Sequence, residues 1–183
     1  MILPINVYGS PVLRKEAEVI DADYPDLQNI IANLFETMYH AKGVGLAAPQ
    51  IGLPISLFVI DSEKMEEENS GAIPVKQVFI NAEIVEFLGE NTPYSEGCLS
   101  VPGINEDVVR KSEVRVWYQD ENFVEHETVF TGMPARIIQH EYDHLFGKTF
   151  IDKLSPLRKT LLRGKLRDIS TGRVETKYKI KMN

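Results

Sequence analysis

The stretch Gln139-His140-Glu141-Tyr142-Asp143-His144-Leu145 constrains this chain more than any other. In a helix, His140 and His144 share one face, one turn apart, and both imidazoles can reach a single metal ion. Glu141 leaves such a helix about 100° round from His140. It can then face a water at the metal without being a ligand, as a general base for hydrolysis must. Pro134 suits the first helical turn, and Gly147 suits the position just past the end. Met133, Ile137, Glu141 and His144 follow helical spacing, so the reactive face continues an apolar one and should be at least partly buried. A bare pair of histidines at this spacing also suits a core pair or a solvated face. The intervening Glu and the inward face favour a metal site.

The rest of the chain can supply a core for that helix. At 183 residues it is long enough for one domain. Strand-like segments come first and the key helix late, which predicts an α+β fold. Mixed or antiparallel strands should pack around the central helix, with a further helix near the C-terminus. Pro25 to Ala41 reads as an amphipathic helix, with Ile30, Ile31, Leu34, Phe35 and Met38 on one stripe. His40 at its end suits the helix dipole better than a ligand role. Leu57 to Ile60, Gln77 to Phe87, Val109 to Tyr118 and Phe123 to Phe130 read as strands, with a turn at Asp120-Glu121-Asn122. His126 falls inside the last of these and reads as a surface residue. Residues 62–76 read as an acidic surface insertion. Ser155-Pro156 opens a helix expected to reach about Asp168. Residues 171–183 fit either an added strand or a disordered tail.

Charge excludes some functions. The net charge of −7 argues against general affinity for nucleic acid, DNA included. It is unevenly spread, however. From Leu154 to Asn183 there are nine Lys or Arg and two acids, about +7, which leaves about −14 on the body. A basic segment of this kind suits a solvated helix or an anionic partner. No apolar run is long enough to span a membrane, and the first residues lack the layout of a signal peptide. With one cysteine an internal disulfide is excluded, and a reducing cytoplasm is the expected compartment.

A catalytic metal usually has three protein ligands and one open position. One protease class places a third histidine six residues after the second. Here Phe150 stands at that position and cannot bind a metal. A downstream glutamate is the other protease solution, and Glu175 in the basic tail is a poor candidate. Upstream, Cys98 lies in Tyr94-Ser95-Glu96-Gly97-Cys98-Leu99-Ser100-Val101-Pro102-Gly103, which reads as a loop rich in turn residues. Alone, such a cysteine reads as core filler. Beside the two histidines, its thiolate completes a Cys-His-His set of catalytic type. Residues 43–52 are crowded with small side chains and read as backbone built for close approach.

Together these residues resemble a known family. Gly43-Val44-Gly45-Leu46-Ala47-Ala48-Pro49-Gln50 is similar to the first motif of the peptide deformylases. Glu96-Gly97-Cys98-Leu99-Ser100 is similar to the second, and Gln139 to Leu145 to the third. The three follow the family's order. The resemblance implies a hydrolase, active in protein biosynthesis, that removes the formyl group from the formyl-methionine of nascent polypeptides. Residues 1–183 would form a single catalytic domain.

The resemblance also implies roles. Cys98, His140 and His144 would bind one divalent metal, with Fe(II) expected and Zn, Ni or Co compatible with the donors. Glu141 would act as general base. The Gln50 side chain and the Leu99 N–H would stabilise the oxyanion. Gly43, Val44 and Gly45 would pair with the peptide like an added strand, with Glu96 and Gly97 also at the substrate. Met133 and Ile137 would line the methionine pocket. Glu96 is equally a candidate to sit behind the metal with Arg110 as partner, and Asp143 to orient a ligand imidazole. Some members carry an arginine shortly after the second motif; here Gly103-Ile104-Asn105-Glu106 stands there. In bacterial members the C-terminal helix docks on the ribosome, so deletion after Ser170 is expected to weaken that contact and spare activity on a small peptide. Two other classes fit less well: a zinc peptidase, which lacks its downstream ligands, and a non-catalytic metal-binding module, which would want a fourth ligand.

Overall fold

A computed structural model describes residues 1–63 and 73–182. The middle of the acidic insertion, residues 64–72, lies outside them. The ends of that insertion are paired: Ser62 N–H donates to Val75 O at 2.9 Å.

The chain opens with strand β1 (Ile5–Asn6) and a 3-10 turn at Pro11–Arg14, then enters helix α1 (Leu27–His40). The predicted stripe faces inward, with Ile31, Leu34 and Met38 buried. Strands β2 (Gly45–Ala47), β3 (Leu57–Asp61), β4 (Lys76–Cys98), β5 (Val101–Gln119) and β6 (Glu125–Thr131) make an antiparallel sheet in that order. Helix α2 (Gly132–Leu145) follows β6 directly, and helix α3 (Pro156–Ser170) lies beyond a 3-10 turn. Strand β7 (Ile180–Lys181) returns to pair with β1 in parallel. The architecture is α+β, as expected, with α2 at its centre.

The long hairpin departs from the sequence reading. β4 runs to Cys98, and β5 begins at Val101. The stretch read as a loop is therefore the closed end of two long strands. Its turn residues are there because the ladder is irregular. Between Glu96↔Glu106 and Cys98↔Val101, two steps on β4 face five on β5. Gly103 takes a φ of +75° in the bulge this creates.

Helix α2 is nearly all buried, on the sheet side and on the hairpin side. Its C-terminus closes as the glycine predicts. Gly147 has φ +66°, its N–H donates to His144 O, and Lys148 N–H donates to Asp143 O, which together form a Schellman cap. Ser155 caps α3, its hydroxyl accepting from Arg158 N–H.

Candidate active site

The fold brings the end of β4 against the middle of α2. Cys98 Sγ and one ring nitrogen from each of His140 and His144 lie within 4.8 Å of one another. Cys98 Sγ is 3.4 Å from His144 Nε2. Both histidines are buried, and Cys98 is half-buried. Phe150 stacks on His140 at 6.2 Å between ring centres, as a neighbour of the site. His40 is exposed at the end of α1, and His126 pairs with Asp120 at the sheet edge. Neither belongs to the cluster. The set is two nitrogens and a sulfur, with no fourth donor among the described residues. That chemistry fits a catalytic divalent metal with an open position.

Behind the donors lies a closed charge network. His140 Nδ1 donates to Glu96 Oε2 at 3.0 Å, which turns Nε2 away from the network. Glu96 also accepts Arg110 at 2.6 and 3.0 Å and Arg136 at 2.8 Å. The geometry gives Glu96 the Arg110 partnership expected of it, and Glu96 also lines the cavity described below. Asp143 does not orient an imidazole. It accepts from Arg110 Nη1 at 2.9 Å, because its position on α2 faces the hairpin. Burial works against the Glu96 charge, but its hydrogen bonds to His140 and Arg110 prevail and lower its pKa to about 2.

The other side of α2 is different. Glu141 is 4 % exposed, and its Oε2 has no hydrogen-bond partner. Burial raises its pKa to about 7, against the pull of His140 and Arg110. Gly45 is a requirement here: a Cβ on it would collide with the Glu141 carboxylate. The Gln50 amide is oriented at both ends. Its Oε1 accepts Ala47 N–H at 2.8 Å, while Nε2 lies 3.1 Å from Ser100 Oγ and 3.6 Å from Cys98 Sγ. Gly43, Val44, Gly45, Gly97 and Leu99 line the same cavity of about 570 Å³, a volume suited to a small ligand or a peptide end. Met133 and Ile137 form part of its apolar wall. β2 is the edge strand of the sheet, so among the described residues its outer side is free of other strands.

A model of the family described as polypeptide deformylase matches residues 2–160. The chain belongs to that family. Peptide deformylases of Christiangramia forsetii and Flavobacterium johnsoniae are 48 % and 50 % identical to it, over 99 % of this chain and 96 % of each relative. The crystal structure of a peptide deformylase from Legionella pneumophila superposes with a TM-score of 0.82 at 39 % identity, covering 94 % of this chain and 98 % of that one. An Arabidopsis thaliana peptide deformylase 1B in complex with an inhibitor gives 0.83 at 33 % identity, covering 93 % and 92 %. Peptide deformylases are enzymes that remove N-formyl groups from nascent peptides, and this chain is one of them. No helix among the described residues is long and apolar enough to cross a membrane.

Some residues of this deformylase site escaped the sequence reading. Arg136 is 6 % exposed and binds Glu96, Val108 O and Thr92 O. Its signal was an arginine on the inward face of an amphipathic helix, one turn before His140. Ser100, fully buried, carries the hydroxyl that meets Gln50. Tyr178 reaches the site from the tail, and its hydroxyl donates to Leu99 O at 2.8 Å.

Proposed function

We propose that the chain performs deformylation as a metal-dependent hydrolase, residues 1–183 acting as one catalytic unit. Cys98, His140 and His144 would hold the ion, and Fe(II) is the expected one on the resemblance. The reading is supported most by one observation: three donor atoms within 4.8 Å beside a buried carboxylate with an unpartnered oxygen. When bound, a divalent ion supplies Lewis acidity, which eases deprotonation of water near neutral pH and polarises a carbonyl.

The side chains do the rest. Glu141 accepts a proton from the attacking water as the formyl carbon becomes tetrahedral. The Gln50 Nε2–H and the Leu99 N–H donate to the oxygen as it gains charge. Glu141 then passes its proton to the departing amine, the formamide C–N bond breaks, and formate leaves. The Glu96 carboxylate fixes the His140 tautomer throughout. The peptide pairs with Val44 and Gly45 along the free edge of β2, which suits recognition by backbone more than by side chain. Its methionine fills the cavity beside Met133 and Ile137.

The substrate end is the formylated terminus of a nascent polypeptide, met in the cytoplasm. The basic segment 155–183 would bind ribosomal RNA by charge. Release of formate from formyl-Met-Ala, compared between the wild type and Glu141→Ala, tests the reaction. Equal release by both would remove Glu141 as the base. Binding to ribosomes that does not weaken with added salt would remove the RNA contact.

A further inference from the structure

The turn that carries Leu99 is held by both ends of the chain. Leu99 and Ser100 stand between β4 and β5. Backbone carbonyls drawn away from water need partners, and those of half-buried Leu99 and buried Ser100 find theirs far away in sequence. Tyr8 N–H donates to Ser100 O at 2.8 Å, and the Tyr178 hydroxyl donates to Leu99 O at 2.8 Å. The two donors sit on segments tied to each other: β1 pairs with β7 through Ile5↔Ile180 and Asn6↔Lys181. The tail is laid down by its own pattern. From Arg173 to Lys181 exposed charges alternate with Val174, Thr176, Tyr178 and Ile180, which are partly buried. Glu175 and Tyr178 form part of the cavity wall.

We propose that Tyr178 is a positioning residue for deformylation, holding the Leu99 backbone where its N–H meets the oxyanion. This rests on the role given to Leu99 above. An oxyanion donor is effective because it is fixed before charge develops. Leu99 belongs to a short reversal next to an irregular ladder, which leaves its orientation to outside contacts. Tyr178 supplies that contact from a segment whose register is set by β1. The tail is then part of the site. Deletion after Ser170 would reduce activity on a small peptide, contrary to the expectation from the resemblance.

The test is Tyr178→Phe in the full-length, metal-loaded protein, assayed with formyl-Met-Ala. The expected result is a kcat about tenfold lower, short of the ~100-fold or more that loss of a direct donor costs. KM should stay within about twofold, with metal content and Tm as in the wild type. Lys179→Ala, an exposed neighbour, should leave kcat unchanged. A kcat for Tyr178→Phe equal to the wild type overturns the proposal. So does a fall that comes with metal loss or a lower Tm, or an equal fall in Lys179→Ala. A wild type that releases no formate would instead remove the activity itself, so the two failures are distinct.

Discussion

The two sides of helix α2 are built on opposite principles. Toward the hairpin, the Glu96, Arg110, Arg136 and Asp143 side chains saturate one another with hydrogen bonds. Toward the cavity, Glu141 Oε2 has no partner and glycine stands where any side chain would touch the carboxylate. A buried polar atom without a partner costs about 1–3 kcal/mol. The difference teaches which side does chemistry. On the proposed mechanism the saturated side orients His140, and the open side keeps an oxygen ready to receive a proton.

Substitutions can break this contrast at several points. Glu141→Gln removes the base and keeps the shape, so turnover should fall about 10³-fold with metal binding retained, as read by formate release and metal analysis. Gly45→Ala leaves the base in place but forces its carboxylate to shift. The expected loss in kcat is about 10²-fold, with Tm little changed. On the saturated side, Glu96→Gln should act through the metal. Affinity measured by chelator competition should weaken about 10–100-fold, and stability should fall by about 3–5 kcal/mol as the buried guanidiniums lose their counter-charge. If Glu96→Gln lowered kcat while metal affinity held, the two sides would not be distinct.

A peripheral acid sets the lower end of the scale. Asp152 accepts from Arg14 Nη1 at 2.7 Å and from Thr149 N–H at 2.8 Å. Burial works against its charge, but Thr149 N–H and Arg14 outweigh it and lower its pKa. A lowered acid stabilises the fold fully above its unfolded value and loses that contribution as pH falls through the folded one. Solvent screens this half-exposed pair, so Asp152→Asn should cost at most about 1 kcal/mol near pH 7. Its Tm difference from the wild type should shrink as pH drops below the ordinary aspartate range, measured by thermal melts. A constant difference would show that charge is not what Asp152 contributes.

Legibility followed the range of the interaction. The α2 helix, its Schellman end at Gly147, the Ser155 cap and the α1 stripe were readable because each depends on neighbours within a few residues. The second motif was misread as a loop. Its glycines serve a bulged ladder, and turn composition looks the same in both settings. The tail was left open although its alternation from Arg173 to Lys181 carries a strand signal, since short charged strands resemble disordered segments in composition. Asp143 was given to an imidazole because only the fold decides which side of α2 meets Arg110.

By itself the sequence determined that His140 and His144 share a helical face with Glu141 a step away, since i, i+4 geometry needs no tertiary contact. The three motifs, in order, also carried the family. Cys98 was named with the two histidines from its motif, but it takes the tertiary structure to bring it, 46 residues from His144 along the chain, to that face. Tertiary structure alone decided that Tyr178, 79 residues from Leu99, holds the turn beside it. Contacts at such separations arise from the register of β4 on β5 and of β7 on β1. Register is chosen by burial across a whole sheet, which no local stretch of residues encodes.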